Sequence, residues 1–333
     1  MPDHKGDQQW NYVFSARRVR QGAFDDEPGS TYFLAVPDNA GDIGPDQRIG
    51  AAGGNMPDKW ANAVLAEARS GVNPRTGQPK GDIVIYIHGF NTPTATMLQR
   101  HRLIKKGLGD QGYKGSVVSF DWPSAASALN YLEDRSDAKT SARLLVDAGI
   151  SGFAARQTQD CEINLHILAH SMGSYVLREA FDDADDRPAV AATSWSVSQI
   201  MLISGDISAS SMGSDNPKTS SLYRHCVRLT NYHNPFDSVL SLSNIKRVGV
   251  SPRAGRIGLP DVRPSKAVNV DCGAHYNAHK DAFDHLNNDD HIWYFYDQTF
   301  MRDAFETIEG HVDRNEITTR IGTHSQLMLR KPG

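Results

Sequence analysis

Residues 162–181 read EINLHILAHSMGSYVLREAF, and the fold is decided there. Ile163 to Leu168 is an apolar run of the kind a buried strand carries. Ala169-His170-Ser171-Met172-Gly173 reads as a tight turn, and an amphipathic helix begins near Met172. Strand, turn and helix in that order set a serine on a sharp bend, its hydroxyl projecting above the sheet edge. Small residues two before and two after it, Ala169 and Gly173, let strand and helix pack closely. Ala169 stands where glycine is usual and adds one methyl. The helix N-terminus aims free N–H groups at charge developing beside Ser171. The plainer alternative is a buried strand followed by a serine N-cap.

Outward from this stretch, apolar strands alternate with helical patterns. Strands are expected at 82–87, 116–120, 199–204, 226–232 and 267–270, with helices at about 94–108, 138–157 and 294–308. Alternation with short links predicts an α/β fold: a mostly parallel central sheet, helices on both faces, and a small or absent lid. Before it, 10–20 and 30–36 read as two antiparallel edge strands around an acidic turn, DDEPGS, and 59–69 as a short helix. The expected organisation is one domain: residues 1–81 joining the sheet edge, a core at 82–310, and a C-terminal tail at 311–333.

The chain has 333 residues, 39% hydrophobic and 22% charged, with net charge −4. No basic excess is available for nucleic acid or an anionic membrane surface. No apolar run approaches a membrane span, and the N-terminus lacks the apolar core of a signal peptide. Cys161, Cys226 and Cys272 are widely spaced and read as reduced thiols, so a cytoplasmic location is expected. Oligomeric state is not legible.

A serine nucleophile needs a base, an acid to orient that base, and N–H donors for the oxyanion. IYIHGFN at 85–91 ends an apolar strand two strands before the elbow. His88-Gly89-Phe90 matches a turn that presents a backbone N–H to the elbow, so the expected donors are the N–H groups of Phe90 and Met172. Ser-Met-Gly-Ser recurs at 211–214, but Asp215-Asn216-Pro217 follows it, so Ser211 is read as a loop residue.

With these motifs in place, residues 82–310 resemble the α/β-hydrolase superfamily. IYIHGFN (85–91), FDWPS (120–124) and LAHSMGS (168–174) are similar to a sparsely characterised branch of bacterial serine-esterase and lipase-like proteins. The resemblance implies the chain order serine, acid, histidine. Asp237 resembles the usual acid position, with Asp206, one strand earlier, as runner-up. Among His275, His279, His285 and His291, the last precedes IWYFYDQTFMRDAF, read as one amphipathic helix, and resembles the histidine of the superfamily. His88, Gly89, Trp122 and His170 are candidate pocket residues, and Leu129 and Tyr131 candidate lid residues.

The implied activity is cleavage of carboxylic esters by Ser171, His291 and Asp237 on a small-molecule substrate, with no cofactor and no metal. Thioesterase, lipase, amidase and lactonase activities use the same residues. Two rivals stand apart: a non-catalytic interaction protein on the same fold, and a metal hydrolase using the His/Asp-rich segment 275–291.

Overall fold

Strand β4 (Pro79–Ile87) alternates its side chains between two cores: Ile83, Ile85 and Ile87 enter one, Val84 and Tyr86 the other. A strand flanked by helices on both faces must be apolar throughout, which explains its composition. The computed structural model describes residues 9–73, 77–124, 131–156, 162–191, 195–245, 251–310, 316–323 and 326–332. Among these, eleven strands form one sheet. The others are β1 (Trp10–Arg20), β2 (Ala23–Pro37), β3 (Arg69–Val72), β5 (Ser116–Asp121), β6 (Glu162–His170), β7 (Val197–Ile203), β8 (Cys226–His233), β9 (Ala267–Asp271), β10 (Arg320–Thr323) and β11 (Gln326–Leu329).

The order across the sheet is β10-β11-β9-β8-β7-β6-β4-β5-β1-β2, with β3 paired to the start of β4. Neighbours from β9 through β1 are parallel; β1 with β2 and β10 with β11 are antiparallel. The chain runs from β4 out to β5 and returns to the other side of β4 as β6. That reversal makes the carboxyl ends of β4 and β6 the switch point of the sheet, the place where ligands bind in such folds. Helices Asp58–Ala68 and Gly173–Asp186 bury Trp60, Val64, Val176 and Phe181 on one face. Helices Thr94–Asp110 and Gln298–Glu309 bury Leu98, Ile104, Phe300 and Ile308 on the other.

Three expectations change. The chain does not reverse at DDEPGS: these residues lie within β2, and the turn is Gln21-Gly22, both with positive φ (52° and 81°). Two consecutive left-handed residues match the right-handed twist of a hairpin, so the turn forms where glycine permits it. The segment 311–333 is not simply a tail, because β10 and β11 extend the sheet. They are pinned by Arg320, fully buried with Asp303 and 2.6 Å from it. Third, IWYFYDQTFMRDAF is not one helix. Asp297 accepts the Phe300 N–H at 2.6 Å and starts a new helix there, leaving His291 on a separate short turn, Asp289–Ile292. Leu129 lies outside the described residues.

Candidate active site

Ser171 follows β6 directly and has φ 55°, a left-handed conformation uncommon for a residue with a side chain. The bend is held on both sides: the Ser171 N–H donates to Ile203 O at 3.0 Å, and its carbonyl accepts the Asp206 N–H at 2.9 Å. Strain of this kind persists only where surrounding structure imposes it. The small residues of the motif have direct causes. A Cβ on Gly173 would fall 2.5 Å from Ile87 O and 2.7 Å from His88 O. A Cβ on Gly89 would fall 2.7 Å from Ser171 Cβ and 3.2 Å from its Oγ. Ala169 is fully buried, its methyl packed in the core.

His291 Nδ1 donates to Asp237 Oδ2 at 2.7 Å. Asp237 is fully buried at the start of helix Ser238–Ile245, where its other oxygen accepts the Leu240 N–H at 2.9 Å. Two loops are stitched together to make this pair. Asn234 Nδ2 donates to Asp290 O at 2.8 Å, and the Ser238 N–H donates to Asp290 Oδ2 at 2.9 Å. His291 therefore sits over Asp237 whatever its own ring does. Asp206, the alternative acid, is occupied elsewhere: Arg253 Nε lies 2.9 Å from it, and both side chains are buried.

His170 links the elbow to this pair. Its Nε2–H donates to His291 O at 3.0 Å, and the two rings have centroids 4.7 Å apart. Burial, with the neighbouring His291 and Arg100, holds the His170 imidazole well below its ordinary pKa, so it is neutral. Among the described residues, Ser171 Oγ makes no hydrogen bond to His291 in this resting geometry. Such bonds often tighten only when substrate binds.

The turn after β4 is tightly determined. His88 Nδ1 donates to Gly89 O at 2.9 Å, and His88 Nε2 accepts the Trp122 N–H at 3.2 Å. Trp122 Nε1 donates to His88 O at 2.9 Å, and the two rings are stacked. Burial lowers the His88 pKa against the opposing pull of Asp121, which leaves a neutral ring protonated at Nδ1. Thr92 Oγ1 also donates to Gly89 O, at 3.0 Å. The Gly89 carbonyl is thereby committed to His88 and Thr92, and in a planar trans peptide the Phe90 N–H points the opposite way. The Met172 N–H lies at a helix N-terminus, where N–H groups lack intrahelical acceptors.

His275 and His279, the first two histidines of the His/Asp-rich segment 275–291, have other partners. His275 Nε2 contacts Asp297 at 3.0 Å, and His279 Nδ1 donates to His275 O at 2.8 Å. Among the described residues no group of three or more metal-type side chains converges. Ser211 accepts from Arg178 and donates to Ser208 O. Sequence reasoning passed over Arg17, 1% exposed and bonded to Asp121 behind the turn. β1 carries three arginines, Arg17, Arg18 and Arg20, and nothing local marks the first as the buried one.

A wound, mostly parallel sheet with a left-handed serine at its switch point and a histidine–aspartate pair beside it defines an α/β hydrolase. The family described as alpha/beta hydrolase of unknown function (DUF900) matches residues 66–276, more than half of the chain, and the chain belongs to it. The match begins after β1 and β2 and ends before His291. No curated protein matches the chain. Among solved structures it is similar to a proposed cell surface hydrolase from Lactobacillus plantarum WCFS1, at 12% identity and TM-score 0.32, covering 58% of this chain and 82% of that one. Among the described residues no helix is long and apolar enough to cross a membrane.

Proposed function

We propose that this hydrolase cleaves carboxylic esters through an acyl-enzyme on Ser171. The observation that carries the reading is the 2.7 Å His291–Asp237 bond, tied through His170 to a serine in left-handed conformation. Ser171 Oγ attacks the ester carbonyl while His291 Nε2 takes its proton. Asp237 keeps the other nitrogen protonated and stabilises the imidazolium. The oxyanion is received by the N–H groups of Phe90 and Met172. The intermediate collapses by breaking the bond to the alcohol oxygen, which leaves with the proton from His291. Water then attacks the acyl-enzyme by the same route and returns Ser171 to its hydroxyl form. No step calls for a cofactor. Two described cysteines, Cys226 and Cys272, are free and buried, which supports a reducing, cytoplasmic setting as part of the proposal.

The test is labelling by a fluorophosphonate, together with turnover of p-nitrophenyl acetate. Labelling confined to Ser171 and abolished in Ser171→Ala supports the reading. Folded wild-type protein that neither reacts nor turns over the ester overturns it and favours a non-catalytic interaction protein.

A further inference from the structure

The turn His88–Thr92 contains Asn91 at φ 49°, a left-handed conformation that asparagine tolerates, and hydrogen bonds from other segments hold the turn in place. One holding group comes from far upstream. Arg17 Nη2 donates to Thr92 O at 3.2 Å. The same guanidinium contacts both Asp121 oxygens through Nε at 3.0 Å and Asp26 through Nη1 at 2.5 Å. Ser15 Oγ donates to Asp121 at 2.6 Å. Asp121 ends β5, and the next residue, Trp122, makes both hydrogen bonds to His88. Burial raises the Asp121 pKa, but Arg17 and the hydrogen bonds outweigh it and hold the carboxyl at about 2. The pair stays charged at neutral pH.

The chain is shaped to deliver this arginine. The β1–β2 register shifts on both sides of Arg17, an irregularity that re-aims a side chain. Its partner across the register is Pro28, and the next residue, Gly29, allows the close approach: a Cβ there would fall 2.4 Å from Arg18 Cα. A long charged side chain turned inward at a bulge, with donors spent on the oxyanion turn and the strand beside it, does more than fill space.

We infer that Arg17, on a strand outside the family match, is a positioning residue for the turn that carries the proposed oxyanion donor Phe90. The inference rests on the functional reading above. Arg17 touches no reacting atom; it acts by fixing where Phe90 N–H points.

The experiment compares Arg17→Lys, which keeps the charge but not the three-way fork, with the doubly neutral Arg17→Met/Asp121→Asn. Arg18→Met, which removes the neighbouring exposed pair with Asp25, is the control. Each is assayed for kcat and KM on p-nitrophenyl acetate, for melting temperature, and for affinity toward a trifluoromethyl ketone, whose serine adduct carries the oxyanion. Both Arg17 variants are expected to lose about tenfold to a hundredfold in kcat, with KM within about threefold. Ketone affinity falls in parallel with kcat, and the control behaves as wild type. An active wild type whose Arg17→Lys variant keeps kcat and ketone affinity within about threefold refutes the positioning role alone. Loss of kcat with ketone affinity unchanged also refutes it. An inactive, unlabelled wild type overturns the functional reading and this inference with it. Should the double variant fail to fold, Arg17→Lys decides.

Discussion

Replacing Asp237 by asparagine tests the site most sharply, because the structure dictates how the new amide must sit. Asp237 uses its two oxygens for different partners: Oδ2 accepts from His291 Nδ1 at 2.7 Å, and Oδ1 accepts from the Leu240 N–H at 2.9 Å. The Leu240 N–H can only donate, so the asparagine must turn its oxygen there. Its NH₂ group then faces His291 Nδ1, and two donors cannot share one hydrogen bond. His291 answers by moving its proton to Nε2, where a base is required to be bare. The expected fall in kcat is on the order of 10⁴-fold, the cost of a wrong tautomer in an otherwise intact site. The helix cap survives, so stability drops only by the charge-assisted component of one hydrogen bond, about 1–2 kcal/mol. Asp206→Asn is the contrasting case. It breaks the buried pair with Arg253 and is expected to cost about 3–5 kcal/mol, with the turnover of the folded fraction kept. The assay is single-turnover ester cleavage normalised by fluorophosphonate titration, with urea denaturation run alongside. Asp237→Asn retaining more than a tenth of wild-type kcat refutes the reasoning.

Other expectations are simpler to check. Ser171→Ala and Ser171→Gly should both lack turnover, but the glycine variant should be more stable than the alanine variant by about 1 kcal/mol, because φ 55° disfavours a Cβ; equal denaturation midpoints contradict this. Gly173→Ala places a methyl against two backbone carbonyls that cannot yield, and a loss of about 1–3 kcal/mol is expected by urea titration together with reduced labelling of Ser171. Acid should destabilise the fold in two windows. Burial, with Lys105 and Arg102 nearby, depresses the His101 pKa from 6.5 to about 3, so the unfolded chain binds a proton there first. The stability this group contributes is present above pH 6.5 and lost as pH falls toward about 3. Asp121, lowered from 3.8 to about 2, adds a second loss across that lower interval. Midpoints that stay level between neutral pH and pH 4, or a His101→Gln variant with an undiminished slope, contradict the assignment.

Residues 162–181 announced strand, turn and helix because all their determinants are local: an apolar run, small residues at fixed offsets, and a helical period. The parallel sheet followed from strands that read apolar on both faces. The turn at Gln21-Gly22 was equally local, yet the acidic run beside it looked more turn-like; twist, not polarity, selects the reversal point. Asp206 and Asp237 both follow a strand, and spacing alone separated them only by analogy. Which one meets His291 depends on two loops, 234–238 and 288–292, closing on each other and on Arg253 claiming Asp206. Leu327 and Leu329 enter the apolar core where β11 pairs with β9, and Arg320 meets Asp303, contacts no pattern in the tail reveals. Arg17 and Asp121 belong to the same class. A sequence carries the propensities of neighbouring residues directly, whereas a pairing between different elements, 17 positions apart for Arg320 and Asp303 and 104 for Arg17 and Asp121, exists only once the chain has chosen its strand order.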